Sequence, residues 1–228
     1  MNKIKTLLTA LVLTFALIAP STADVRIGIS AAVAQIEADG SEQVKDAGRL
    51  KKHSEQANAI IPSGFLELSH SSGFGIGIDL VTGSADLAAS NRERTLVGGD
   101  DGRESGTQKA NAEVDGITTL YLVKTFDSGF FVKFGTAEAD VNTLETLSSG
   151  SAYKNASVDG THYCAGFERV NDNGIFFRTA LEHTDFDTIS LTGSQVGGTA
   201  GSYNKIKATV DITTAKFSVG KNIRFALK

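Results

Sequence analysis

From Val25 onward the chain alternates between apolar positions and small or charged ones. Val25, Ile27, Ile29, Ala31 and Val33 fall on one face of an extended segment, and Arg26, Gly28, Ser30, Ala32 and Ala34 fall on the other. Successive side chains of a β-strand point to opposite faces, so this period of two predicts a strand with one apolar face. Seven further runs behave alike, at 60–69, 74–80, 114–123, 130–137, 161–168, 175–182 and 216–225. The run at 114–123 is the least regular, because Ile117, Tyr121 and Val123 share a side with Asp115 and Thr119. Eight strands are expected.

The connections alternate between long and short. Long ones cover roughly 37–57, 83–112, 140–158 and 186–206, and short ones are His70–Ser72, Asp127–Gly129 and Asn171–Gly174. Each short link passes through a glycine into an apolar residue, as in Gly73-Phe74, Gly129-Phe130 and Gly174-Ile175. Glycine supplies the positive φ that a tight hairpin needs. Short turns at one end and long loops at the other are the layout of transmembrane β-barrels, whose turns face the periplasm. Hydrocarbon offers no hydrogen-bond partners, so a sheet that crosses it must close on itself and present an apolar face outward. The fold class expected is therefore all-β: an eight-stranded antiparallel up-and-down transmembrane barrel with four long extracellular loops and short periplasmic turns.

The beginning of the chain fits export. Lys3 and Lys5 precede an apolar stretch from Thr6 to Pro20, and Ser21-Thr22-Ala23 supplies small residues before Asp24. This reads as a signal peptide over 1–23, cleaved after Ala23, ahead of a barrel domain over 24–228. The apolar stretch is too short for a membrane-spanning helix, which needs about 20 residues. The full chain carries a net charge of −4, and loss of the leader removes two lysines, which argues against a nucleic-acid partner. Cys164 is the single cysteine, so no intramolecular disulfide is available.

The faces opposite the apolar ones carry five cations, Arg26, Lys133, Arg178, Lys216 and Arg224, and five anions, Glu67, Asp79, Asp115, Glu168 and Glu182. An eight-stranded barrel is only just wide enough to be filled by its own side chains. The balance therefore predicts a lumen plugged by ion pairs, with Glu168 against Arg178 across the Asn171–Gly174 turn. Lys221 falls in the lipid-facing register, where it either snorkels to the periplasmic surface or marks a bulge. Lys45, Arg49, Lys51 and Lys52 in the first long loop form a candidate contact for anions such as the phosphates of lipopolysaccharide, although Glu42, Asp46 and Glu55 are interleaved with them.

Ala165-Gly166-Phe167-Glu168-Arg169-Val170-Asn171-Asp172-Asn173-Gly174, continued by Phe177-Arg178-Thr179-Ala180-Leu181-Glu182-His183-Thr184-Asp185-Phe186, resembles the OmpA-like and opacity-type outer-membrane β-barrel family. There a glycine-bearing strand ends in an acidic residue, meets an Asn/Asp/Gly turn, and is followed by an Arg…Glu strand entering an acidic loop. Elsewhere the likeness is one of layout. The resemblance implies a monomeric surface barrel with roles in membrane integrity, adhesion or narrow channels.

Catalytic patterns are absent: the sequence holds no HExxH, GxSxG, P-loop or paired CxxC. The glycines of Gly73-Phe74-Gly75-Ile76-Gly77 recur at period two and read as a strand with a stripped inner face. His162 and Cys164 share a face without a third partner, and Asn171–Gly174 lacks the closing glutamate of a calcium loop. Gly99–Glu104 reads as a solvated acidic loop. No enzyme, cofactor or metal is expected. The expectation is a bacterial outer-membrane scaffold displaying its loops, partnered by outer-membrane lipid, lipopolysaccharide and the outer-membrane assembly machinery. A narrow channel for small solutes or apolar compounds and a soluble, lipocalin-like periplasmic binder are the alternatives.

Overall fold

The structure is a computed structural model describing residues 23–43, 50–86, 92–96, 106–110, 112–144, 152–194 and 205–224. The expected leader, apart from Ala23, lies outside the described residues, as do Lys45, Arg49 and the Gly99–Glu104 loop. All regular structure among the described residues is strand. In chain order these are β1 (Ala23–Gln43), β2 (Leu50–His70), β3 (Phe74–Val81), β4 (Ser84–Asp86), β5 (Arg92–Leu96), β6 (Gly106–Ala110), β7 (Ala112–Thr125), β8 (Phe130–Thr143), β9 (Ala156–Val170), β10 (Ile175–Phe186), β11 (Ile189–Thr192) and β12 (Lys205–Arg224).

Eight staves close the barrel. Neighbours pair antiparallel in the order β1-β2-β3-β7-β8-β9-β10-β12, and β12 pairs back onto β1 from Asp24↔Arg224 to Gln43↔Lys205. β4 prolongs β3 after a break at Thr82-Gly83 and pairs with β7, while β11 prolongs β10 and pairs with β12. β5 and β6 form a separate hairpin within the second long connection.

The short turns are built as expected. Gly73, Gly129 and Gly174 take φ of 81°, 87° and 76°, and their amides donate to the carbonyls of His70, Phe126 and Asn171 at 2.8, 2.9 and 2.8 Å. The Asn171 side chain adds a bond from the Ile175 amide at 2.9 Å.

The alternation has the expected sense across the membrane band. Ile29, Val33, Ile60, Phe134, Phe167, Leu181 and Phe217 all project outward and are more than half exposed. This exposure rules out the soluble, lipocalin-like arrangement, which would bury that face inward.

Three of the long connections are shorter than expected, because strands continue into them, most of all into the first. β1 and β2 stay paired to Gln43↔Leu50, β8 and β9 reach Thr143 and Ala156, and β12 begins at Lys205. In these extensions the polarity is reversed. Ala34, Ile36, Ala137, Ala139, Val141, Val158, Val210 and Ile212 point inward and form an apolar cluster with Phe186 and Ile189. Outward positions at the same level are polar: Gln35, Glu37, Asp39, Thr136 and Asp140 are exposed. The barrel thus rises out of the apolar band as a water-facing cylinder with a conventional core. Tyr153 and Gly193 are buried at its upper end, where Ala152 and Ser194 exchange two hydrogen bonds, 2.9 Å through the backbone and 3.0 Å from the Ala152 amide to Ser194 Oγ.

Candidate functional site

Below the apolar cluster, in the membrane band, the lumen is filled by charge. Arg178 of β10 is 2% exposed and reaches Glu67 of β2, which is wholly buried. Its Nη1 and Nη2 donate to Glu67 Oε1 and Oε2, both at 2.7 Å. Its Nε donates to Glu168 Oε2 of the adjacent β9 at 2.5 Å. Arg26 Nη1 closes the same group, 3.0 Å from both oxygens of Glu168. Tyr121 donates its hydroxyl to Glu67 Oε1 at 2.9 Å, and Lys133 Nζ stands 3.8 Å from that oxygen and 4.1 Å from the Tyr121 ring centroid. Phe65, Phe131 and Phe176 surround the Arg178 guanidinium at 5.4, 5.0 and 4.9 Å, the distance at which aromatic faces attract a cation.

A second cluster lies beside the first. Lys216 Nζ bridges Glu182 at 2.7 Å and Asp79 at 3.2 Å, and Thr214 Oγ1 donates to Glu182 at 3.4 Å. His162 shares a hydrogen bond with Thr184 Oγ1 at 3.0 Å, and Cys164 is buried between Lys133 and Glu182 in register. Removing charges from water costs several kcal/mol per ion, a cost that only closely matched partners offset. Every carboxylate of these clusters has a cation within 3.2 Å.

Of the ten lumen charges expected from the sequence, the structure brings eight together, four of each sign. The Glu168–Arg178 pair forms across the expected turn, at register Arg178↔Glu168. Asp115 is a correction: it is exposed on the outside of the barrel. Gly116, at φ 62°, makes a bulge between Asp115 and Ile117, so that Val114 and Ile117 both face inward and the parity on either side differs. That bulge also accounts for the irregular pattern at 114–123. The Arg224 side chain lies outside the described residues. Lys221 keeps the lipid-facing register without a bulge, and its ammonium donates to the Asn173 carbonyl in the adjacent periplasmic turn.

Of the first-loop cations, Lys45 and Arg49 lie outside the described residues, and of Lys51 only the backbone, in β2, is described. Lys52 is exposed and stands opposite Ser41, with Lys207 of β12 opposite the same residue from the other side. Sequence order hid that neighbour, since Lys207 is brought in only by barrel closure.

Two small cavities lie in the lumen among the described residues, one against the plug and one in the apolar layer above it. One of about 40 Å³ lies between the Lys216 cluster and the apolar layer, and buried Ser63, whose Oγ has no hydrogen-bond partner, lines it. The other, also about 40 Å³, is lined both by inward residues, Ile36, Ile61, Val114 and Ile117, and by outward ones, Ile60 and Pro62. It sits where β2 loses its neighbour: β2 pairs with β3 only from Ser63↔Val81 to Ser69↔Gly75, while it pairs with β1 along its whole length.

No protein family and no curated protein match the chain by sequence. Solved structures do match. The chain is similar to the outer membrane protein OprG from Pseudomonas aeruginosa, at 11% identity over 88% of this chain and 96% of that one, with a TM-score of 0.52. It is less closely superimposable on the outer membrane protease OmpT from Escherichia coli (12% identity, 89% and 97% covered, TM-score 0.46) and on Ail of Yersinia pestis, solved with the heparin analogue sucrose octasulfate (10%, 86% and 99%, 0.40). At these identities the likeness establishes the fold, an outer-membrane β-barrel.

Proposed function

We propose that this protein resides in the bacterial outer membrane as a closed barrel, a non-enzymatic scaffold that carries its extracellular ends as an interaction surface. The observation that supports this reading most is the lumen plug, in which Glu67, Arg178, Glu168 and Arg26 form one continuous ion-paired chain across the interior. Above it the apolar layer, in which Ala34, Ile36 and Ala137 are at most 1% exposed, seals the axis again. A water-filled conduit needs a polar lining and a continuous bore; here the axis meets paired charge and then close-packed apolar side chains. Planar-bilayer recording tests this. The expected result is no steady open level at neutral pH and moderate voltage, and a stable, ion-conducting level in the wild-type protein would overturn it.

A narrow passage for apolar compounds is the second reading, favoured by one observation. The cavity at Ile61, Val114 and Ile117 touches both the apolar lumen and the outward Ile60 and Pro62, through the part of the wall where β2 and β3 no longer pair. Uptake of an apolar fluorophore by cells or proteoliposomes carrying the protein, above that of empty controls, would favour this reading.

A further inference from the structure

We infer that the periplasmic rim of the barrel binds the phosphate headgroups of anionic phospholipid in the inner leaflet. The inference rests on the outer-membrane placement proposed above. Three cations face outward within four residues of the periplasmic ends of their strands: Lys124 on β7, Arg169 on β9 and Lys221 on β12. Outward strand positions at that end include no Asp or Glu among the described residues, and the exposed carboxylates Asp127 and Asp172 sit in the turns. At the other end the outward residues Glu37, Asp39, Asp140 and Asp185 are exposed just beyond the apolar band, and the exposed lysines Lys52, Lys205 and Lys207 stand farther out.

The basic rim is also anchored at a fixed depth. Lys124 Nζ donates to the Ser72 carbonyl at 2.5 Å and lies 4.3 Å from the Phe74 ring and 5.6 Å from Phe126, and Lys221 is held by the Asn173 carbonyl. An ammonium has three donors, so each lysine keeps protons free for a phosphate. Phe126 stacks on Phe130 at 5.9 Å, and Phe130 meets Phe167 at 5.4 Å, which sets an aromatic belt beside the cations at the level where acyl chains join headgroups. Arg169 and Lys221 lie diagonally across β10, since Arg169 is opposite Phe177 and Lys221 opposite Ile175. Two strand spacings and a two-residue offset separate them by roughly 12 Å, room for a headgroup between them.

The test uses the full barrel folded in neutral micelles, with folding read by the heat-induced mobility shift. Phosphatidylglycerol or phosphatidylcholine of matched chain length is added, and retained lipid is counted by native mass spectrometry. About 1 kcal/mol per basic residue near an anionic lipid corresponds to roughly fivefold each, so a preference for phosphatidylglycerol of at least about tenfold is expected. It should fall toward unity in K124Q/R169Q/K221Q and persist in K124R/R169K/K221R. Equal retention of the two lipids, or an undiminished preference in the neutralised variant, overturns the inference. If the neutralised variant does not fold, the wild-type preference must still collapse between 0.05 and 0.5 M salt, about a threefold contraction of the screening length, and its survival there is equally fatal. Failure of the wild type to fold in any micelle or bilayer would instead remove the membrane placement, and this inference with it.

Discussion

Arg178 and Glu67, 111 positions apart in sequence, face each other across the lumen through two parallel hydrogen bonds of 2.7 Å. Both lie on non-adjacent staves, with β1 and β12 between them on the shorter way round. Their pairing therefore ties together parts of the wall that no backbone ladder joins.

Breaking this pair from one side strands a buried charge. Arg178→Met leaves Glu67 and Glu168 each short of their closest cation, and a loss of about 3–5 kcal/mol is expected in urea unfolding from lipid vesicles. Glu67→Gln should cost a similar amount. The double variant is expected to lose less than the sum by at least ~1 kcal/mol, because the partners left unpaired in the singles are removed together. Strict additivity would mean that the pair contributes no coupling.

Two glycines with positive φ should respond differently to alanine. A Cβ on Gly129, at φ 87°, would collide with the Glu168 carbonyl oxygen, whereas one on Gly116, at φ 62°, meets nothing within 4 Å. Gly116→Ala should cost only the left-handed backbone penalty, about 1–2 kcal/mol. Gly129→Ala should cost visibly more and slow folding of the β7–β8 hairpin, as measured by the rate at which the heat-shifted band appears. Equal losses at the two sites would contradict the turn geometry.

The reversed polarity above the membrane band can be tested on adjacent residues. Ala137 is wholly buried in the upper lumen, and Glu138 next to it points outward. Ala137→Asp places an unpaired carboxyl among Val114, Val141 and Val158, so a loss of several kcal/mol, or failure to fold, is expected. Glu138→Gln should stay within about 0.5 kcal/mol of wild type. The opposite ranking would show that the apolar cluster is not the core of the extracellular half.

Acidification should tighten the outer rim. Asp211 stands opposite Asp185 on one side and Glu37 on the other, outside the apolar band. Partial burial, reinforced by the facing Asp185 carboxyl, raises its pKa above the ordinary 3.8. A raised carboxyl binds its proton more tightly in the folded state, so its favourable contribution is complete below the ordinary value and is lost as pH rises through the raised one. Wild-type protein should gain rim stability as pH falls from neutral toward 4, and Asp211→Asn should be more stable than wild type at pH 7 with a flatter profile. Hydrogen exchange of the β10 and β12 amides near Asp185 and Asp211 measures this. A profile identical in the two proteins would exclude the Asp185–Asp211 pair as the titrating unit.

Much of this architecture is written in the chain. Eight staves, their inward and outward faces through the membrane band, the three glycine turns and the Glu168–Arg178 pair all follow from a period of two and from the spacing of Gly73, Gly129 and Gly174, because these are local properties of a pleated strand and of backbone conformation. The extracellular half was written there too. Ala34, Ile36 and Ala38 alternate with Gln35, Glu37 and Asp39 in a run that continues into 37–57, the stretch expected to form a loop. It was misread because the apolar face changes sides where solvent replaces lipid, and a reading tied to one lipid-facing phase ends at that switch. Only the closed tertiary structure decided the rest. A bulge at Gly116 turned Asp115 outward, closure of β12 on β1 set Lys207 across from Lys52, and the width of the lumen chose Arg178 as the partner that reaches Glu67. Contacts of that kind depend on where distant strands are held in space, which no local repeat encodes.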